Sequence, residues 1–181
     1  MKIIKTFALA SVVFVTACSS SGKQVAEAPP APSWAESRIA NLTSIAEKQG
    51  YEIEREGEQI RLLIPVDGNF HPKRTLLLPS GLVPLSKVAQ ALKVDGDSQL
   101  TVVGHSDSDG NHDMNEKLSL ERAQAVASVL RLGGIEGRRM HLQAMAEYQP
   151  RADNSTYTGR KLNRRVEIIL TPYPSAVALA K

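Results

Sequence analysis

Five side chains able to bind a metal or move a proton, His105, Asp107, Asp109, His112 and Asp113, fall within nine positions of one another. Imidazoles and carboxylates clustered in this way can hold a metal ion, and Asp107-x-Asp109-x-Asn111 begins like an EF-hand calcium loop. That loop needs glycine at its sixth position for a sharp turn and a bidentate glutamate at its twelfth. Here those positions carry His112 and Leu118, which rejects EF-hand calcium. A zinc site wants three or four convergent ligands on firm elements, and this run has no familiar ligand spacing. His105, directly after Gly104, reads instead as a structural histidine that pins a strand end. No metal and no cofactor is expected. Hydrolysis would need a nucleophile beside its base, or a poised pair of carboxylates. The chain has no G-x-S-x-G and no cysteine after Cys18, and its scattered glutamates define no glycosidase pair. The expectation is a binder rather than an enzyme.

Two elements must position these residues. Leu100-Thr101-Val102-Val103, apolar and rich in β-branched residues, reads as a buried strand ending at Gly104. A polar loop runs from Gly104 to Asp113. A helix follows from about Asn115 to Leu132, closed by Gly133-Gly134. Leu118, Ala125, Val129 and Leu132 form its apolar stripe, and Arg122 falls on the same stripe. A guanidinium on the core-facing side of a helix is very costly without a carboxylate partner. The preceding loop offers candidates, Asp107 first among them.

Gly104-His105-Ser106-Asp107, then Asn115, then Leu118-Ser119 and Arg122-Ala123, resembles the pattern GH(T/S)D…N…LS..RA of OmpA-like, peptidoglycan-associated domains. Asn163-Arg164-Arg165-Val166-Glu167 resembles the closing NRRVE of the same family. The resemblance runs from roughly Tyr51 to Thr171, and several separated motifs in the right order make it specific. It implies a ligand, the peptide stem of peptidoglycan, gripped at its diaminopimelate residue. That residue presents an ammonium and a carboxylate on one carbon. A protein holding it wants one anion and one cation a few ångströms apart in a partly dry pocket. By the resemblance, Asp107 and Arg122 supply that pair, Ser106 keeps the hydroxyl where the family often has threonine, and Arg164 adds a second cation. Asn115 lies two helical turns before Arg122 on the same side, placed to bond either the loop or the ligand. Arg165 is expected on the other side of its strand. A purely internal Asp107–Arg122 ion pair is the structural alternative, and the two roles are compatible. Two departures stand out. The family's pocket-lining loop beginning Phe-Asp is Phe70-His71 here, with Pro72 removing a backbone donor. Its Gly-x-Gly-Glu is Ala144-Met145-Ala146-Glu147, each alanine adding a methyl where glycine allows close approach or positive φ.

The ends of the chain read differently. Twenty-two basic against nineteen acidic residues give a net charge of +3. Lys2 and Lys5 belong to a leader, so the remainder is nearly neutral. With no basic stripe interleaved with aromatics, no nucleic-acid partner is expected. Met1 to Ala17 reads as a secretory signal, with a positive start and an apolar core, Phe7 to Val15, too short to span a membrane. Val15-Thr16-Ala17-Cys18 resembles a bacterial lipobox, so Cys18 is expected to carry lipid. The bland alternative is an unmodified thiol, a liability in an exported chain. Each buried methylene of an acyl chain contributes about 0.8 kcal/mol. Ser19, rather than Asp, resembles the outer-membrane sorting signal. Residues 18–32 are Ser-, Ala- and Pro-rich and read as a disordered tether reaching on the order of 45–50 Å.

Ser33 to Gly50 reads as a helix with a capping-box spacing at Ser33 and Glu36. It is either packed on the domain or partner-binding, the former preferred. Tyr51–Arg55 and Gln59–Pro65 read as a β-hairpin, Pro79–Val94 as a helix, Met140–Met145 as a strand, Thr158–Asn163 as a helical turn and Arg165–Leu170 as the last strand. Residues 51–172 thus form the domain, and 173–181 a short tail without a role. The expected fold class is α+β: an OmpA-like two-layer sandwich, a βαβαβ-type mixed sheet with helices over one face. The whole reads as an outer-membrane lipoprotein, lipid-anchored and facing the periplasm, that binds peptidoglycan through diaminopimelate and tethers the membrane to the cell wall. The first alternative is a subunit of an envelope secretion or motility complex, contacting other envelope proteins. A cell-wall hydrolase is the weakest.

Overall fold

In the computed structural model, residues 32–72 and 74–174 are described. The leader, Cys18, the tether up to residue 31 and the tail from residue 175 lie outside them. Helix α1, Trp34–Lys48, starts at Ser33, whose hydroxyl accepts a hydrogen bond from the Glu36 N–H at 3.2 Å. That satisfies one of the free donors of a helix start. Gly50 takes φ +74° and turns the chain into the hairpin β1 (Glu52–Glu56) and β2 (Gln59–Pro65). Helix α2, Pro79–Val94, and strand β3, Ser98–Gly104, come next. After them lie helix α3, His112–Leu132, strand β4, Met140–Ala144, helix α4, Tyr157–Asn163, and strand β5, Arg165–Pro172.

The sheet order is β1-β2-β5-β3-β4, with β3 and β4 parallel and every other pair antiparallel. It is the mixed sheet of an α+β sandwich. The last strand inserts between β2 and β3, where its alternation buries Val166, Ile168 and Leu170 against Ile60, Leu62, Ile64, Leu100 and Val102. Leu85, Val88 and Leu92 of α2 and Ala123, Val126 and Leu130 of α3 close the same core. Helix α1 belongs to this layer, with Ala35 and Ala46 fully buried and Leu42 and Ile45 packed beside them.

Three local expectations need correction. Helix α3 begins at His112, not Asn115, because the Asn111 side chain accepts from the Met114 N–H at 2.8 Å and caps it a turn earlier. Its buried face is also rotated from the large apolar residues: Leu132 is 87% exposed, while Ser119, Ala123, Val126 and Leu130 are buried. The cause is the close approach of helix and strand. A methyl at Gly104 would lie 1.9 Å from the Ser119 carbonyl oxygen, so only small side chains fit this seam. At the glycine-for-alanine departures, Ala146 takes φ +44° and Ala144 does not take positive φ. Ala146 is held by its carbonyl accepting from the Ser106 N–H at 2.7 Å and by its own N–H donating to Ser119 Oγ at 3.3 Å.

Candidate ligand-binding site

Strand β3 ends at Gly104, and its loop runs along a cavity of about 820 Å³ through Ser106, Asp107, Asp109 and Gly110 before Asn111 caps α3. The turn after β2 supplies one wall, with Val66, Asp67, Phe70 and Pro72. Ser106 and Asp107 supply another, and α3 presents Met114, Asn115, Leu118 and Arg122. Arg164, the residue before β5, reaches in from the strand inserted between β2 and β3. The site therefore exists only once the last strand has docked.

Seven charged side chains line it, Asp67, Asp107, Asp109, Lys117, Glu121, Arg122 and Arg164, and four of them face one another or the loop as follows. Arg164 donates from Nε to Asp67 Oδ1 at 2.9 Å and from Nη2 to Asp67 Oδ2 at 2.8 Å. Its Nη1 donates to Asp107 Oδ2 at 2.6 Å. Hydrogen bonding to Arg164 holds the Asp67 carboxyl below its usual range, and the same bonds raise the guanidinium above its own. The expected Asp107–Arg122 ion pair is not formed. Asp107 is taken by Arg164, whose fork faces it across the loop. Among the described residues no carboxylate lies within ion-pair distance of Arg122. Its Nε donates to the Arg74 carbonyl at 3.4 Å, and Nη1 is buried without any partner.

Arg122 is 2% exposed, and burial, followed by the nearby Arg164 charge, pushes its pKa down to about 10. It remains a cation at neutral pH, desolvated and without an ion-pair partner, feeling Asp107 and Asp67 only at a distance. Buried polar groups in folded proteins are nearly always hydrogen-bonded, so an exception lining a cavity is a candidate ligand contact. Ser106 Oγ is a second exception lining the same cavity. Asn115 has a partner: its side-chain N–H donates to the Asp107 carbonyl at 3.2 Å, so it braces the loop.

The rest of the acidic cluster disperses. His105 turns to the opposite face of the sheet, 3.6 Å from Glu167, and Asp109 pairs with Arg160 at 3.4 Å. His112 bonds Glu147 at 3.1 Å and packs against the Tyr148 ring. Among the described residues no three metal-binding side chains converge. Arg165 lies with Glu167, 2.7 Å away, and not in the pocket. Asp67 is the pocket residue that sequence reasoning passed over. Followed by Gly68 it reads as a turn, and nothing local marks its partner ninety-seven positions away. It also supplies the carboxylate missing at His71, whose neighbours Phe70 and Pro72 make an apolar wall.

Comparison with known proteins shows the family and the fold. A model of the OmpA family matches residues 69–164. The chain is 39% identical over 123 residues to "Probable lipoprotein YiaD" of Escherichia coli, a match covering 68% of this chain and 56% of that protein. It thus spans little more than half of that relative's length. It is 33% identical over 131 residues to "Outer-membrane lipoprotein YfiB" of Pseudomonas aeruginosa, covering 72% of this chain and 77% of that one. Among solved structures, the cell wall anchor of the T6SS from Pseudomonas aeruginosa superposes with a TM-score of 0.63 at 28% identity. That superposition covers 78% of this chain and 98% of the other.

Proposed function

The chain belongs to the OmpA family, and from that premise we propose that it binds peptidoglycan non-covalently, gripping the diaminopimelate of the peptide stem, and ties it to the outer membrane through lipid on Cys18. One observation carries this reading: Arg122, fully buried and without a counter-ion, lines a pocket one side of which is anionic. A ligand carboxylate supplies the bond that Nη1 lacks, with Ser106 Oγ as a second donor beside it. The ligand ammonium meets Asp107, whose oxygens face the same cavity. Every group is set before the ligand arrives, so little reorganisation opposes binding. In this reading the site holds its ligand through charge: Asp107 faces the ammonium, and Arg122 with Ser106 faces the carboxylate.

The placement of the chain ends supports tethering. Strand β2 runs from Gln59 to Pro65, and the pocket turn follows Pro65 directly. At the other end of the hairpin, the Ala35 N–H donates to Glu58 Oε2 at 2.9 Å and Arg55 Nη2 to Ser33 Oγ at 3.1 Å. Pro32 therefore leaves at the pole opposite the pocket, about 20 Å away along a seven-residue strand. No helix among the described residues is long and apolar enough to cross a membrane, and in this reading the attachment is the acylated Cys18.

Sedimentation with purified sacculi tests the proposal. The protein is expected in the pellet, released by a diaminopimelate stem peptide and only weakly by its lysine counterpart. Protein that stays in the supernatant would overturn it. A second reading is a subunit of an envelope complex that uses the fold for protein contacts in place of the wall. It predicts the supernatant, together with co-purification of envelope proteins.

A further inference from the structure

Charge in the pocket is shared unevenly. Asp67 closes the side-on edge of Arg164 with two parallel bonds, and Asp107 takes Nη1. Those three groups carry a formal charge of −1 and Arg122 carries +1; of the other charged lining residues, Asp109 is paired with Arg160, and Lys117 and Glu121 are opposite in sign. Asp67 is fixed in place. The Val66 N–H donates to the carbonyl of Arg164 itself at 2.9 Å, and the N–H groups of Asn69 and Phe70 donate back to the Val66 carbonyl. Gly68, at φ +85°, completes that turn, and Ser80 Oγ donates to its carbonyl at 2.6 Å. The carboxylate and the guanidinium it covers thus sit on two segments joined by a backbone hydrogen bond.

We infer that Asp67 sets the charge preference of the pocket: by closing Arg164 it leaves Arg122 as the receptor for a single carboxylate, adds negative field where an ammonium sits, and so favours a zwitterion over a dianion. Arg164 is then a bridge between two carboxylates and not a second ligand cation. The brace alone would account for an internal ion pair. The uncovered Arg122 a short distance away gives the pair a consequence for ligand choice, because two free guanidiniums would attract two carboxylates. Only the peptide arm of the following test rests on the function proposed above.

The experiment uses Asp67→Asn and Asp67→Ala, the second leaving no side-chain oxygen to re-bond Arg164. Arginine Nε–H signals are followed by ¹⁵N NMR during titration with acetate, and assigned with Arg122→Lys and Arg164→Lys. In the wild type, acetate is expected to move the Arg122 signal and leave Arg164 in place. In both Asp67 variants it is expected to move both. An Arg164 signal that moves equally in wild type and variants, or stays still in all, would overturn the inference. Calorimetry then compares the diaminopimelate stem peptide with its side-chain-acetylated form, which lacks the ammonium. The preference for the free amine is expected to fall about tenfold in the variants, and an unchanged preference would also overturn the inference. If the wild type binds neither peptide, the proposed function fails, while the acetate titration still decides the role of Asp67.

Discussion

Arg122 and Asp107 differ in what holds them, and so their substitution separates folding from binding. Arg122 has no counter-ion, so its burial opposes folding. Arg122→Met keeps the length and removes the charge. It is expected to melt at or above the wild-type temperature, a gain of about 1 kcal/mol, and to lose sacculus binding. Asp107→Asn breaks the 2.6 Å pair with Arg164, but Asp67 still holds that guanidinium by two bonds. Stability is expected to fall by about 1–3 kcal/mol, because the pair is largely buried, against a roughly ten- to hundredfold loss of binding. A thermal melt beside a sacculus pull-down reads both. Collapsed melting, with normal binding by the surviving folded protein, would assign the two residues to the fold alone. His105 answers to pH. Burial first, then Arg165, Arg61 and Arg151, push its pKa from 6.5 to about 3, and neither ring nitrogen has a hydrogen-bond partner. The folded value lies below the unfolded one, so the unfolded chain takes up a proton that the folded chain refuses. Stability from this residue is complete above pH 6.5 and declines as the pH falls towards 3, by on the order of a few kcal/mol. Urea midpoints at about pH 7 and pH 4.5 should differ less for His105→Gln than for the wild type; equal differences would remove His105 from the acid response.

Close packing of elements decides what no single residue does. Gly104 sits under α3, where a methyl would meet the Ser119 carbonyl at 1.9 Å and its carbon at 2.5 Å. Both are backbone, so relief requires the helix to shift, and Arg122 shifts with it. Gly104→Ala is expected to lower stability at or beyond the upper end of the roughly 1–3 kcal/mol typical of overpacking. Unchanged denaturant unfolding would mean that the seam is looser than it stands. Ala146 is the opposite case. Its left-handed φ of +44° costs about 1–2 kcal/mol for an L-residue. Glycine there would relieve that strain, but lose a buried methyl and gain freedom in the unfolded chain, about 1–2 kcal/mol together. Ala146→Gly is expected to be nearly silent in a melt, which is how this turn tolerates alanine. The same scale explains what could be read from sequence. The strand–loop–helix around Asp107, the hairpin, the Pro79–Val94 helix and the Ser33 cap are written in local periodicity and turn residues, and the structure has them. The rotation of α3 is not local, because it follows from the closeness of β3. Nor is the choice of partner for Asp107, since Arg164 lies fifty-seven positions away and comes within reach only when β5 enters between β2 and β3. Helical spacing favoured Arg122, which lies nearer in sequence, and the sheet topology favours Arg164.

The molecule as a whole has two working ends. The pocket opens beside Pro65 and Gly104, where β2 and β3 end, and the chain enters at Ser33 beside the far turn of the hairpin. Helix α1 spans the distance between them. Near its start Arg38 pairs with Asp95 at 3.0 Å, and beyond its end the Tyr51 hydroxyl donates to the Gly81 carbonyl at 3.3 Å, close to the pocket turn. A load applied at Pro32 is thus carried through the domain core. Anchorage and wall binding should therefore be separable. Cys18→Ser is expected to leave the protein unacylated and to move it from the detergent phase to the aqueous phase, because the several tens of methylenes that acylation supplies, at about 0.8 kcal/mol each, are gone. Its affinity for isolated sacculi should equal that of the wild type, since no pocket residue has changed. Arg122→Met should do the reverse, staying with membranes and leaving sacculi. Phase partitioning, mass spectrometry of the acyl groups and sacculus pull-down on the two variants make the comparison. A Cys18→Ser protein that keeps its acyl mass would remove the lipid anchor. One that loses sacculus affinity in proportion to its lipid would show the two ends acting as one.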